Sequence, residues 1–413
     1  MFLEEFEPDG TRVQSLALPA RTASGVNALI ASGTATVDGW LTRSADGTCL
    51  VVPGYNKNAG DAGTLTTSSV PRVVARVLAS GAIDTSTALT DASVGSNFRG
   101  AASSDCNHVW VSGTGTNGGV RHTTIGRTTS DDVSGTSFAN TRAVVVAGAQ
   151  LYVGASVTAL RTVASVGTGL PATGPATVKA LTGLPLPAAG GQPYAFFFAQ
   201  LDPKVTAPDT LYVADESFGV QKFSLSGGTW VARGTSGSGA DVYRGITGIV
   251  SGSTVTLYAT RRAGTATNGT GGGELVSIVD ASGAGGTLTA APTLIAAAAA
   301  NTDYRGVALA PVAPPPPQFR VTPSASANGT ITPATVQSVP QGTTAALDVV
   351  PAHGFGASVG GSCGGALVGT RYTTAPITAD CTVEASFTPL PRYTVTPSAG
   401  PNGSISRLSG MCS

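Results

Sequence analysis

Asp209-Thr-Leu-Tyr-Val-Ala-Asp215 is a stretch of apolar and aromatic residues framed by aspartates. Alone it reads as a hairpin entering a buried β-strand. Its centre, Leu211-Tyr-Val213, has counterparts in Leu50-Val-Val52, Val109-Trp-Val111, Leu151-Tyr-Val153 and Leu257-Tyr-Ala259. In chain order the intervals are 59, 42, 60 and 46 residues, within the range of a β-propeller blade with variable loops. A second strand-like segment precedes each by 8 to 15 residues: Trp40-Leu-Thr42, Phe98-Arg-Gly-Ala-Ala102, Ala143-Val-Val-Val146, Phe196-Phe-Phe198 and Tyr243-Arg-Gly-Ile-Thr247. A third strand and turn follow, as in Val220-Gln-Lys-Phe-Ser-Leu-Ser-Gly-Gly-Thr-Trp-Val231, and the segments from Val73 to Ile83 and from Glu274 to Leu288 read the same way. Four strands per unit make a blade.

Residues 1–311 are therefore expected to form a β-propeller of about six four-stranded blades, with seven as the alternative. The last unit, Tyr304-Arg-Gly-Val-Ala-Leu309, is an inner strand followed only by prolines, whereas Phe2 to Leu16 reads as the third and fourth strands of a blade around a Pro8-Asp9-Gly10 turn. The two ends of the propeller are expected to complete one closing blade, covering edges that would otherwise pair with other chains. That blade lacks one strand, its second, which is expected upstream of Met1 together with an export signal. Met1-Phe-Leu-Glu-Glu-Phe6 has neither the basic start nor the apolar run of a signal peptide. Leu294 to Ala300 is too short to span a bilayer, so no membrane insertion is expected.

Past residue 311 the composition changes. Residues 312–318 form a linker carrying Pro314-Pro-Pro-Pro317, stiff by virtue of its prolines. Phe319-Arg-Val-Thr-Pro-Ser-Ala-Ser-Ala-Asn-Gly-Thr-Ile331 then returns as Tyr393-Thr-Val-Thr-Pro-Ser-Ala-Gly-Pro-Asn-Gly-Ser-Ile405, identical at eight of 13 positions, which marks duplication. Residues 319–388 alternate apolar and polar positions around Asn-Gly and Gly-Gly turns and predict a small all-β module. Residues 389–413 hold a truncated second copy, which cannot bury its own face and is expected to be loosely ordered.

The repeated units, Asp209 to Asp215 above all, resemble bacterial β-propellers of the broad NHL, lactonase and YncE-like kind. In the tail, the Val-Thr-Pro-Ser motif with its Asn-Gly turn, Gly354-Phe355, Gly364-Gly365 and Ala379-Asp-Cys-Thr-Val-Glu-Ala-Ser-Phe387 resemble the internalin-B-type bacterial repeat. That likeness implies an extracellular stalk or adhesive module and supplies no catalytic residue.

Charged residues are 11% of the chain and the net charge is zero, so no general field favours nucleic acid or an anionic membrane. A composition that is 41% apolar argues against disorder. Cys363 and Cys381, each close to a strand end, read as a disulfide in an exported protein, the alternative being two thiols in a reducing compartment. Cys49 and Cys106 read as unpaired, and Cys412 belongs to the aberrant end. No CxxC or paired histidines support zinc. His108, His122 and His353 lie far apart in sequence and in unit position, without a nucleophile-elbow motif, and read as surface or strand-packing residues. Gly264 to Gly273 lacks the Gly-Lys-Ser/Thr of a phosphate loop and reads as a flexible blade loop. Asp9-Gly10 and Asp46-Gly47 read as hairpin turns; Ca2+ has no motif here, and no cofactor is expected.

Two groupings are candidate binding sites. Arg99, Arg244 and Arg305 share a Phe/Tyr-Arg-Gly frame on inner strands, which should gather them near the central channel to bind a carboxylate or other anion. The alternative is that each is satisfied by blade carbonyls or a neighbouring acid. Asp215 and Glu216, with Arg261 and Arg262, each follow a second strand and should lie on one face, toward a ligand or a metal. No convergent catalytic set is visible. The leading expectation is an extracellular or cell-surface, noncatalytic binding or scaffold protein, monomeric, whose propeller is displayed on a β-repeat stalk toward a protein or carbohydrate ligand. The rivals are a secreted propeller hydrolase of lactones, esters or phosphodiesters, and an accessory region of a larger secreted enzyme.

Overall fold

The computed structural model describes every residue except 34, 36, 158, 159, 185–190, 263–272, 300, 301 and 406–413. Gly264 to Gly272 of the glycine-rich stretch, and Cys412, lie outside the described residues. The chain divides into two compact units, Met1–Ala313 and Pro314–Ser413.

The first unit is a β-propeller. It opens with a hairpin of β1 (Phe2–Phe6) and β2 (Arg12–Ala17). Five four-stranded antiparallel sheets follow, each a meander in chain order. The first has β3 (Thr42–Arg43), β4 (Cys49–Tyr55), β5 (Arg72–Leu78) and β6 (Ile83–Leu89). The second has β7 (Phe98–Ser103), β8 (His108–Gly113), β9 (Gly119–Thr124) and β10 (Asp131–Asp132). The third has β11 (Thr141–Ala147), β12 (Gln150–Ala155), β13 (Val163–Val166) and β14 (Val178–Ala180). The fourth has β15 (Pro193–Ala199), β16 (Thr210–Asp215), β17 (Gly219–Ser226) and β18 (Thr229–Ser236), and the fifth β19 (Tyr243–Ser251), β20 (Thr254–Arg261), β21 (Glu274–Asp280) and β22 (Thr293–Ala297).

The repeated Leu-Tyr-Val stretch falls on the second strand of every sheet, and Leu50, Val109, Leu151, Leu211 and Leu257 are all buried there. A strand covered by neighbouring sheets on both faces has no polar side, which is why these runs are continuous rather than alternating. Successive inner edges touch around a circuit. Trp40 N–H donates to Arg99 O at 3.1 Å, Thr141 Oγ1 binds the second sheet at Gly113, and Arg142 reaches Gln192 at 2.9 Å. Glu216 of the fourth sheet pairs with Arg244 of the fifth, and Thr260 Oγ1 donates to Arg305 O at 2.6 Å. Arg305 then pairs with Asp38 ahead of the first sheet, while Arg43 donates to Ala310 O at 3.2 Å.

Residues 304–310 differ from the inner strand expected there. They carry no ladder; Thr260 Oγ1 donates to Arg305 O and the Arg43 guanidinium to Ala310 O. The hairpin β1–β2 lies beside them, with Phe6 edge-on to Tyr304 at 6.0 Å and Met1, Leu3, Leu16 and Ala308 packed on the core of the first sheet.

The fourth and fifth sheets are tied by a buried ion pair. Lys222 Nζ, fully buried, lies 2.7 Å from Asp280 Oδ2 and also donates to Ser282 Oγ and Gly283 O. Tyr212 OH donates to the same carboxylate at 2.6 Å, so the group is satisfied throughout.

Cys49 and Cys106, read from sequence as unpaired, are joined by a disulfide across a Cα–Cα distance of 5.9 Å. Judging each cysteine against its own turn hid the pairing, because the bond runs between sheets. Ala45 and Asp46 N–H groups donate to Ser103 and Ser104 carbonyls, docking the β3–β4 turn on the β7–β8 turn and bringing the sulfurs together.

The second unit has two four-stranded sheets in the orders β25-β23-β30-β27 and β24-β26-β29-β28, from β23 (Gln318–Ala325), β24 (Gly329–Thr332), β25 (Gln337–Pro340), β26 (Ala346–Pro351), β27 (Phe355–Gly360), β28 (Gly365–Val368), β29 (Arg371–Thr374) and β30 (Cys381–Pro389). Val321, Leu347, Val349, Val383 and Phe387 fill its core. The Cys363–Cys381 disulfide is present. Residues 390–405 are exposed and without strands. No helix among the described residues is long and apolar enough to cross a membrane.

Candidate functional site

Four of the five inner strands share one irregularity. Their pairing with the second strand slips between Phe98 and Gly100 in β7, Thr141 and Val144 in β11, Pro193 and Ala195 in β15, and Tyr243 and Gly245 in β19. Each slip is a β-bulge, which kinks the strand and re-aims the extra side chain. The residues so placed are Arg99, Arg142, Tyr194 and Arg244. Arg305 holds the matching place in the closing segment. A small residue follows each because the next inner segment approaches closely: a Cβ on Gly100 would lie 3.2 Å from Arg142 O, and one on Gly245 2.7 Å from Arg305 O.

These side chains converge. Trp40 of the first sheet and Tyr194 of the fourth meet edge to face at 5.4 Å, which puts both at the axis, since those sheets are not neighbours around the ring. Both are buried. The Arg142 guanidinium sits 3.8 Å from the Tyr194 ring centroid and that of Arg244 at 5.5 Å, a cation–π arrangement with two cations on one ring.

What holds the four arginines differs. Arg305 pairs with Asp38 and, at 3.5 Å, with Asp303. Arg244 pairs with Glu216 at 2.8 Å. Arg99 makes no ion pair among the described residues: its Nη1 donates to Asn140 Oδ1 and Thr141 O, both at 2.8 Å. Nor does Arg142 among the described residues; it donates to Gln192 Oε1 at 2.9 Å and to Pro193 O at 3.5 Å. The Nε atoms of Arg99, Arg142 and Arg244 are buried without a hydrogen-bond partner. Burial, and then the neighbouring Arg142 charge, pull the Arg99 pKa down to about 10. Burial likewise lowers Arg142 and raises Asp38. Burial would raise Glu216, but hydrogen bonds from Arg244 and Tyr194 hold it below its ordinary value.

The second candidate grouping divides. Asp215 turns inward, accepts backbone N–H groups of Gln192 and Ser217 at 2.7 Å, and is raised by burial. Glu216 goes to Arg244, not to Arg261. Arg261 is held by Asp241 at 3.0 Å and Glu274 at 2.7 Å, and Arg262 is exposed.

Sequence reasoning missed Arg142, Tyr194 and Trp40. The available signal was a partial frame: Thr141-Arg142-Ala143 keeps the arginine and a small third residue of Phe98-Arg99-Gly100, and Pro193-Tyr194-Ala195 keeps only the small third residue. The histidines need a correction too. His108 Nδ1 and His122 Nε2 lie 3.1 Å apart with stacked rings, because β8 and β9 are adjacent and pair Trp110 with His122. Burial, then the His108 charge, lower the His122 pKa. Among the described residues no three His, Cys, Asp or Glu side chains group as a metal site.

No protein-family model matches the chain, and no curated protein does. Solved structures similar to it include a gluconolactonase from Xanthomonas campestris, 14% identical over 67% of this chain and 85% of that one, with a TM-score of 0.34. An exo-β-1,3-galactanase from Phanerochaete chrysosporium is 12% identical over 91% and 92%, TM-score 0.38, and apo AztD from Citrobacter koseri 10% identical over 94% and 97%, TM-score 0.32. The propeller is read from the order of the sheets and the ring of bulges, not from these likenesses.

Proposed function

We propose that this chain is an extracytoplasmic, noncatalytic recognition protein: a six-bladed propeller, closed by both of its ends, that holds an oxyanion at its axis and is carried by an internalin-B-type β-repeat unit. The observation that carries the reading is the unequal pairing of the axial arginines. Arg244 and Arg305 are neutralised by Glu216, Asp38 and Asp303, whereas Arg99 and Arg142 are buried side by side without an ion pair among the described residues, Asp38, Glu216 and Asp215 acting on them only from a distance. Buried charge without a partner is costly, and a carboxylate or sulfate supplied by a ligand would remove that cost. Two disulfides support an oxidising compartment.

The hydrolase reading has less support, because acids that would serve as general acid or base are engaged with arginines or backbone amides. The test titrates the full-length protein with sulfate and citrate at constant ionic strength and follows thermal unfolding. A ligand that binds only the folded state raises the midpoint with concentration. Both anions are expected to do so in the wild type, and much less in Arg99→Gln and Arg142→Gln. Equal shifts in all three proteins would remove the axial site. A parallel screen of lactones, esters and phosphodiesters, with and without calcium, is expected to show no turnover; turnover abolished by Asp215→Ala would sink the noncatalytic reading.

A further inference from the structure

The His108–His122 pair stands on β8 and β9, the second and third strands of the second sheet, and so apart from the axis that the inner strands line. Trp110 lies directly opposite His122, and His108 precedes Trp110 by two residues on β8. Side chains two apart on a strand share a face, and diagonal neighbours across a ladder are within reach of each other, so both imidazoles emerge on the face that carries Trp110. That face turns toward the third sheet: Trp110 packs in one cluster with Val144, Leu151 and Val153, and its Nε1–H donates to Pro171 O at 2.7 Å. His108, at the start of β8, is exposed, whereas His122 is only 5% exposed, with the Trp110 ring 5.1 Å away. Solvent reaches one ring; packing fixes the other.

Spacing and charge both suit a metal ion. His108 Nδ1 and His122 Nε2 are 3.1 Å apart. Two nitrogens at that separation, each about 2.0–2.1 Å from a common ion, subtend an angle of roughly 100° there, between tetragonal and tetrahedral geometry. Burial, and then the His108 charge, hold His122 below its ordinary pKa, so its ring is neutral at neutral pH, as ligation requires. Asp131, directly opposite His122 on β10, and Asp105 add negative charge, part of which Arg127 offsets through its ion pair with Asp131 at 2.9 Å. Without an ion, one ring donates its N–H to the other. On binding, that ring carries its proton on the far nitrogen instead, and both near lone pairs meet the ion. No third His, Cys, Asp or Glu joins them among the described residues, so water completes the shell and the site is open.

We infer that His108 and His122 bind a divalent transition-metal ion at the rim of the second sheet, Cu2+ in preference to Zn2+. Imidazole suits both ions, and the affinity of a nitrogen site peaks at Cu2+ in the first-row series. Mg2+ and Ca2+ take oxygen ligands and do not match this donor pair. The inference goes beyond the axial reading and does not rest on it: sulfate and citrate probe the axis, and a metal ion probes the rim.

The test is calorimetric titration of the full-length protein with Cu2+, Zn2+ and Mg2+, with tryptophan fluorescence followed in parallel, because Cu2+ on His122 would sit near the Trp110 ring and quench it. One equivalent of Cu2+ is expected to bind with quenching, Zn2+ to bind more weakly and Mg2+ not at all. His108→Gln changes an exposed side chain and should fold as the wild type. Its Cu2+ affinity is expected to fall by about 100-fold or more, since losing even an outer-shell partner of a metal site costs about 10–100-fold. His122→Gln is expected to lose binding likewise, its unfolding midpoint being measured alongside. His353→Gln, an exposed change in the second unit, is expected to leave both readouts unchanged. No saturable binding at micromolar Cu2+, unchanged affinity in His108→Gln, or binding lost in His353→Gln would each overturn the inference and leave the pair as a hydrogen bond between two imidazoles.

Discussion

Lys222 and Asp280 show how differently one buried charge pair can behave from the axial arginines. Every donor and acceptor in the Lys222 group is used, so its removal should be felt as stability rather than as function. Lys222→Ala leaves Asp280 buried beside a cavity and is expected to cost about 3–5 kcal/mol in urea unfolding, whereas replacing both partners by apolar residues should cost much less. Burial would raise the Asp280 carboxyl, but its bonds from Lys222, Ser282 and Tyr212 hold it below the ordinary value. A depressed folded-state pKa contributes stability above the unfolded-state value, and that contribution is lost as pH falls through the folded one. The acid limb of a stability–pH curve should therefore flatten in Lys222→Met. An unchanged limb would show that other carboxylates set it.

At the scale of elements, the docking of two hairpins carries a covalent bond. Cys49 and Cys106 are 57 residues apart, and closing a loop of that size contributes ~4 kcal/mol in the chain-entropy model. Cys49→Ser with Cys106→Ser is expected to lower the unfolding midpoint of the first unit while leaving that of the second unchanged. Two disulfides use four of the five cysteines, so thiol titration of the denatured, nonreduced protein should find one thiol per chain. These elements also mark where the sequence was legible. Leu211-Tyr-Val213 and its counterparts announced the second strands, because a buried central strand is fixed by its own apolar run. The Phe98-Arg99-Gly100 frame announced inner strands and a shared residue. The Cys49–Cys106 and His108–His122 pairs were not legible, whereas Cys363–Cys381 was. Cys49 meets Cys106 through contacts between sheets, and His108 meets His122 through the register of β8 on β9; neither leaves a periodic trace in the chain. Arg142 and Tyr194 escaped because the frame varies where the bulge tolerates it.

At the scale of the molecule, the two units each have their own core, and the second spans only two small sheets. Calorimetry is expected to resolve two transitions, and cleavage within residues 312–318 should leave both midpoints unchanged; a single transition that disappears on cleavage would mean the units unfold as one. Within the propeller, the recurrent bulge has a meaning for how such a molecule changes over time. A side chain turned out of the ladder takes no part in the pairing of its own sheet, so exchanging it changes the contacts at the axis and between neighbouring sheets and leaves the blade's ladder alone. Arginine at four places around the axis and tyrosine at another are then settings on a common dial, each read together with its neighbours. A lineage carrying this frame could retune what its centre attracts, from anion to cation to neutral surface, by single substitutions and with its architecture intact.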